Sequence, residues 1–304
     1  MVSMSSKTRL AGPVDIETYG EYQIRQDPAD TRPLLRFTGR ITDDGPFTAR
    51  PSRYHVYGGW FCPWSHRVAI TRELAGLHDV VTMSYVDGDR DSRGWAFRET
   101  YGPDPVNGFA FLRDAYEATE EGFDGHVSVP TLWDRFSSRV VSNDCQGIGI
   151  DLATRFRRLA NPMVDTYPAG QRDQIEELDR WLGPAVNHGV GAASRGDAAA
   201  RAELLDAFEQ LDARLAGSRY LLGETLTEAD VRLWVTLVRY DVGANAYQEI
   251  NPGLHAYPRL WEYTRDLYTI PAFRDTTDFS SFSRPGAHLS DWPDHPAEAP
   301  RPLA

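Results

Sequence analysis

Cysteine is almost absent from this chain. Its 304 residues include two, Cys62 and Cys145, which excludes a disulfide framework and a cysteine-rich metal site and fits a reducing compartment. No metal is expected. Long apolar runs are missing as well. None approaches the roughly 20 residues that a membrane-spanning helix needs, and the start Met1-Val2-Ser3-Met4-Ser5-Ser6 has no apolar signal-peptide core. The expectation is a cytoplasmic protein with no membrane partner. Basic residues are in deficit, 32 Lys and Arg against 44 Asp and Glu for a formal charge of −12. That balance argues against nucleic acid or anionic lipid as a general partner and leaves room only for a local basic cleft. The rest is globular in composition, and the length predicts two domains of ordinary size.

What is present is organised around Tyr57-Gly58-Gly59-Trp60-Phe61-Cys62-Pro63-Trp64-Ser65-His66-Arg67. Arg53 to Tyr57 alternates as a strand does, Gly58-Gly59 can turn the chain, and Val68, Ala69, Arg72, Leu74 and Ala75 suit a helix. Cys62 therefore falls at a helix entrance, where unpaired backbone N–H groups and the positive end of the helix dipole favour a thiolate. A thiol so placed titrates well below its ordinary value of about 8.5 and is a nucleophile at neutral pH. Cys62-Pro63-Trp64-Ser65 has the form of a redox Cys-x-x-Cys motif with Ser65 in place of the resolving cysteine. A mixed disulfide on Cys62 must then be resolved by an external thiol. His66 and Arg67, one helical turn on, fit packing and thiolate stabilisation equally well.

Residues 1–50, with scattered Pro, Gly, Asp and Arg, predict an irregular arm. Val80 to Val86 reads as a second, parallel strand, and the aromatic-rich stretch from Asp87 to Asp124 reads as either a functional lid or an aromatic mini-core. Val127-Ser128-Val129-Pro130-Thr131-Leu132-Trp133-Asp134 is a strand with an internal proline. A cis peptide at Val129-Pro130 would leave main-chain groups facing a peptide-like thiol. Arg139 to Ser142 hairpins onto it, and Asn143-Asp144 caps a helix through Ile148, Leu152 and Phe156. This order is thioredoxin-like and predicts an α/β domain over 51–160. Beyond Asn161-Pro162 the pattern is helical only: Gln171–Leu182, Asp197–Leu215, Thr227–Tyr240 and Tyr257–Leu267 make an all-α domain over 161–275, and an irregular tail fills 276–304.

These residues resemble the Xi-class glutathione transferases, the glutathionyl-hydroquinone reductases. The resemblance runs from about residue 50 to 280 and rests on the Cys62-Pro63-Trp64-Ser65-His66-Arg67 motif, Gly94-Trp95, Val129 to Asp134, Asn187-His188-Gly189-Val190, Tyr220-Leu221-Leu222-Gly223 and Thr227-Glu228-Ala229-Asp230. It implies the glutathione-transferase fold, a homodimer, and a nucleophile at Cys62 that releases hydroquinone and a disulfide from a glutathionyl conjugate. It also implies a thiol-binding wall of Trp95, His126, Val129, Pro130, Asp144 and Cys145. Within that wall the sequence departs from the family. His126 replaces an arginine, Asp144-Cys145 replaces a Glu-Ser pair, and tyrosines that would donate to a developing enolate oxygen are replaced near Gly191 and at Ser281-Phe282-Ser283. A neutral imidazole and a shorter carboxylate both weaken the grip on the charged ends of glutathione. The departures favour a less peptidic thiol such as mycothiol, a cysteinyl sugar conjugate without the γ-glutamyl group. Two other classes stay open: a thiol-dependent transferase or isomerase of a specialised metabolite, and a non-catalytic binding module.

Overall fold

The structure, a computed structural model, describes residues 9–24, 31–287, 289 and 292. The parts of the expected arm and tail at 1–8, 25–30, 288, 290–291 and 293–304 lie outside the described residues. The chain forms two compact units, one of residues up to 72 together with 76–161, the other of 73–75 and the chain from 162 on.

The first unit is built on a four-stranded mixed sheet. Its strands β1 (Tyr54–Gly58), β2 (Thr82–Tyr85), β3 (Thr131–Asp134) and β4 (Arg139–Ser142) lie in the order β2-β1-β3-β4. β1 runs parallel to β2, with His55 opposite Thr82, and antiparallel to β3, with Tyr57 opposite Thr131. The parallel pair requires a crossover, and helix α2 (Pro63–Leu74) supplies it. Alternation within β1 does not expose either face: all five residues are buried. The polar side chains in and beside the strand are satisfied internally. Arg53 donates to both carboxylate oxygens of Asp134 at 2.8 Å, and the ring nitrogens of His55 lie 2.7 Å from Thr82 Oγ1 and 2.8 Å from Ser84 Oγ.

A four-residue helix, α1 (Ile16–Tyr19), lies in the arm, which is stitched onto this unit at several places. Ala11 N–H donates to Phe97 O and Ser92 N–H to Gly20 O, while Gly39 N–H donates to Val141 O beside the Thr38–Ser142 bridge on β4. Asp87 to Asp124 contains the short helix α3 (Arg113–Thr119), and its aromatics Trp95, Phe97, Tyr116 and Phe123 pack with Cys62, Val129 and Trp133 into one apolar cluster. Helix α4 (Cys145–Arg155) starts directly after the hairpin.

The second unit is helical: α5 (Arg172–Leu182), α6 (Gly189–Ala193), α7 (Ala198–Arg214), α8 (Glu228–Arg239), α9 (Pro258–Tyr268) and α10 (Pro271–Arg274). A π-helical segment, Gly183–His188, joins α5 to α6, and Asn187 there accepts from Thr236 Oγ1 at 2.6 Å. Helix α8 is the centre, with every residue from Glu228 to Val238 buried. Its Thr227/Asp230 capping box does more than end a helix. Asp230 also accepts from Leu221 N–H and Tyr263 O–H, so it fixes the approach of α9 and of the preceding turn. The tail returns through Phe279 and Trp292, which pack on each other and on Tyr268. The architecture is a thioredoxin-like α/β domain followed by an all-α domain. Among the described residues no helix is long and apolar enough to cross a membrane.

Candidate active site

Cys62 ends the turn after β1 and immediately precedes α2. The turn is tight: Cys62 N–H donates to Gly59 O at 3.0 Å, and a Cβ on Gly59 would fall 2.6 Å from the Phe61 ring, so only glycine lets that ring fold back. Pro63 opens the helix, where a missing N–H costs no intrahelical bond. The Cys62 side chain is 7% exposed. Its Sγ receives the Ser65 N–H at 3.5 Å and lies 3.5 Å from the Val129 carbonyl oxygen, to which the thiol donates. Ser65 Oγ accepts from Gly59 N–H at 3.2 Å. Ser65 thus ties the Gly59–Cys62 turn to the first turn of the helix.

The opposite wall is the turn before β3, where the Val129–Pro130 peptide is cis. Tyr116 and Asn143 hold this turn. Tyr116 O–H lies 2.8 Å from Thr131 Oγ1 and accepts from Ser128 N–H, Thr131 Oγ1 donates to Ser128 O at 2.6 Å, and Asn143 Nδ2 donates to Ser128 Oγ. With Ser128 and Thr131 held, the Val129 carbonyl is fixed against the sulfur. Asp144 is the N-cap of α4 and accepts from Gln146 and Gly147 N–H, both at 3.1 Å, while Cys145 is the first residue of that helix. Both carboxylate oxygens of Asp144 are therefore engaged by the helix it caps.

Trp95 is buried and its ring lies 4.5 Å from that of Phe61, the neighbour of Cys62. Over Trp95 sits a residue that sequence reasoning missed. The Arg90 guanidinium lies 3.8 Å from the Trp95 centroid and 3.8 Å from the Tyr22 centroid, sandwiched between the rings. Tyr22 comes from the arm, and its hydroxyl is 2.9 Å from His126 Nδ1. Burial, with a contribution from the Arg90 charge, holds the His126 imidazole below its ordinary pKa and hence neutral at pH 7. A cavity of about 230 Å³, lined in part by Tyr22, Arg113, Asp124 and His126, adjoins this cluster; Cys62 does not line it.

The remaining expected side chains pack on α2. His66 is buried, and the Arg67 guanidinium covers the Trp64 ring at 4.5 Å. Cys62 and Cys145 are not joined in a disulfide. Among the described residues no group of three or more His, Cys, Asp or Glu is placed to hold a metal ion.

The glutathione S-transferase N-terminal domain family matches residues 61–153 and the C-terminal domain family matches 164–266. The chain is 34% identical over 247 residues to the glutathionyl-hydroquinone reductase YqjG of Escherichia coli (strain K12), covering 78% of this chain and 75% of the relative. Its fold is similar to that of the Xi glutathione S-transferase of Phanerochaete chrysosporium, with a TM-score of 0.78, 30% identity and coverage of 86% and 99% of the two chains. It is also similar to the glutathione-bound structure of YqjG, with a TM-score of 0.76, 32% identity and coverage of 81% and 85%. With a Cys-Pro-Trp-Ser helix entrance, a cis-proline turn facing it and these relatives over most of its length, the chain belongs to the Xi-class glutathione transferase family, in which the glutathionyl-hydroquinone reductases are found.

Proposed function

We propose that this enzyme performs thiol exchange at Cys62 on thiol conjugates of quinol-like or other electrophilic small molecules. The observation that carries the reading is the environment of one sulfur: Cys62 Sγ at a helix entrance, receiving the Ser65 N–H at 3.5 Å, with no cysteine at the resolving position. The thiolate attacks the sulfur of the conjugate. The carbon–sulfur bond breaks, the electron pair leaves with the ring carbon, and a proton taken up there gives the hydroquinone. A second thiol then attacks the outer sulfur of the mixed disulfide, releasing a symmetrical disulfide and the Cys62 thiolate. Electrons balance: the ring is reduced and two thiols are oxidised to one disulfide.

Trp95, His126, Val129, Pro130, Asp144 and Cys145 form the thiol-binding wall in this reading, with Pro63, Trp64, His66 and Arg67 supporting the nucleophile. Two thiols compete for it. Glutathione is supported by the glutathione-bound relative YqjG. Mycothiol is supported by the neutral His126 and by an Asp144 whose carboxylate is already engaged by the α4 backbone. Two cysteines without a disulfide support a reducing, cytoplasmic setting, and the family resemblance supports a homodimer.

The test has two arms. Cys62→Ser should abolish release of hydroquinone from a glutathionyl-hydroquinone while leaving the circular dichroism spectrum unchanged. Retained turnover would remove Cys62 from the reaction. Calorimetric titration of the same variant with glutathione and with mycothiol then identifies the thiol, and micromolar glutathione binding with no detectable mycothiol binding would eliminate mycothiol.

A further inference from the structure

Arg90 differs from the ion-paired arginines of this unit. Arg53 has Asp134, Arg40 has Asp151, Arg93 has Asp91 and Arg98 has Asp87. Among the described residues Arg90 has two aromatic rings instead of a carboxylate, and its Nη1 is buried without a hydrogen-bond partner. The acids nearest in sequence are engaged elsewhere or exposed. Asp91 accepts from Arg93 and from Asp15 N–H, Asp87 faces Arg98 and Thr100, and Asp89 is exposed.

A half-buried guanidinium that has lost part of its hydration and has no counterion among the described residues is a poor arrangement for stability alone. Stacking recovers some of the loss, because aromatic faces attract a cation, but it leaves the Nη1 donors unsatisfied. Those donors form a planar fork that matches a carboxylate in two parallel hydrogen bonds. The stack also fixes where the fork lies. Trp95 contacts both Arg90 and Phe61, so one ring links the cation to the residue next to Cys62. On its far face Tyr22 is held by the bond to His126, so the arm locks the guanidinium in its plane.

We propose that Arg90 is the anion-recognition residue of the thiol site, taking a carboxylate of the incoming thiol and selecting a carboxylate-bearing thiol such as glutathione over an uncharged sugar thiol. This rests on the reading of Cys62 as the centre of thiol exchange. The fixed positive charge that His126 does not supply is supplied from a different segment, and His126 acts through Tyr22 as a positioning residue. Of the two competing thiols, Arg90 favours glutathione.

The experiment uses the full chain with Cys62→Ser, alone and combined with Arg90→Gln or Arg90→Lys, titrated calorimetrically with glutathione, glutathione diethyl ester and mycothiol. With Arg90 present, free glutathione should bind about tenfold or more tightly than its diester, as expected for one charge-assisted bidentate contact. Arg90→Gln should remove most of that preference, and Arg90→Lys should restore only part of it because the ammonium keeps the charge without the fork. Binding of the diester should change little. Equal binding of glutathione with and without Arg90, or binding of mycothiol in preference to glutathione by the Cys62→Ser protein, would overturn the proposal. Failure of the Cys62 reading appears separately, as hydroquinone release that survives Cys62→Ser. If Arg90→Gln melts early, Arg90→Lys, which keeps the aliphatic stem and the charge, still reports on the fork.

Discussion

Ser65 stands at the position of a resolving cysteine, and its hydroxyl accepts the Gly59 N–H at 3.2 Å while its own N–H points at Cys62 Sγ. One residue therefore removes dithiol chemistry and closes the nucleophile turn. Ser65→Cys should reverse the first effect: the introduced thiol should form a disulfide with Cys62 on mild oxidation, and the protein-bound mixed disulfide with glutathione should no longer accumulate. Intact-mass measurement before and after reduction checks this, and persistent accumulation of the mixed disulfide would contradict it. Cys62 and its turn were legible in the sequence because helix start, glycine pair and thiol are adjacent in the chain. Arg90 was not legible. Within Asp87-Gly88-Asp89-Arg90-Asp91 it reads as one member of a solvated charge run, and only the fold brings Tyr22 and Trp95 onto its two faces.

At the scale of elements, β1 reads as an alternating strand and is buried on both faces. The polar positions are satisfied from β2 and β3. His55 is the most consequential, because burial first, then the charges of Arg135 and Arg72, push its pKa down to about 3. The unfolded chain binds a proton there near pH 6.5, the folded chain only near pH 3, so this contribution is complete above pH 6.5 and is lost as pH falls toward 3. Over that window it amounts to roughly 5 kcal/mol, at about 1.4 kcal/mol per pH unit. His55→Gln should flatten the fall in urea-unfolding free energy between pH 6 and pH 4 by about one proton's slope, whatever its effect at pH 7. An unchanged slope would mean that His55 already titrates normally in the folded protein. Strong helix signals place α5, α7, α8 and α9 within one residue at each end, since apolar periodicity and the caps at Asp197 and Thr227 are local. The π-helical segments at Gly183–His188 and Tyr240–Ala244 have no such local signature.

Across the whole chain, residues far apart in sequence are held by side chains whose roles composition conceals. In the second unit Trp292 is 3% exposed and its ring lies 5.3–5.5 Å from those of Trp261, Tyr268 and Phe279. Trp292→Ala should cost about 3–5 kcal/mol, as for other large aromatics removed from a packed site. It should also speed proteolysis after residue 276, and an unchanged melting temperature with unchanged cleavage would refute the anchoring. The class of fold, the placement of a thiol at a helix entrance and the lack of a second cysteine three residues on follow from the order of residues alone, because they depend on periodicity, caps and neighbours in the chain. How the proposed thiol-binding wall is charged follows only from packing in three dimensions. The answer depends on which side chains from the arm, the 87–124 segment and the cis-proline turn share a low-dielectric neighbourhood, where burial keeps His126 neutral, capping engages Asp144, and the rings of Tyr22 and Trp95 hold Arg90.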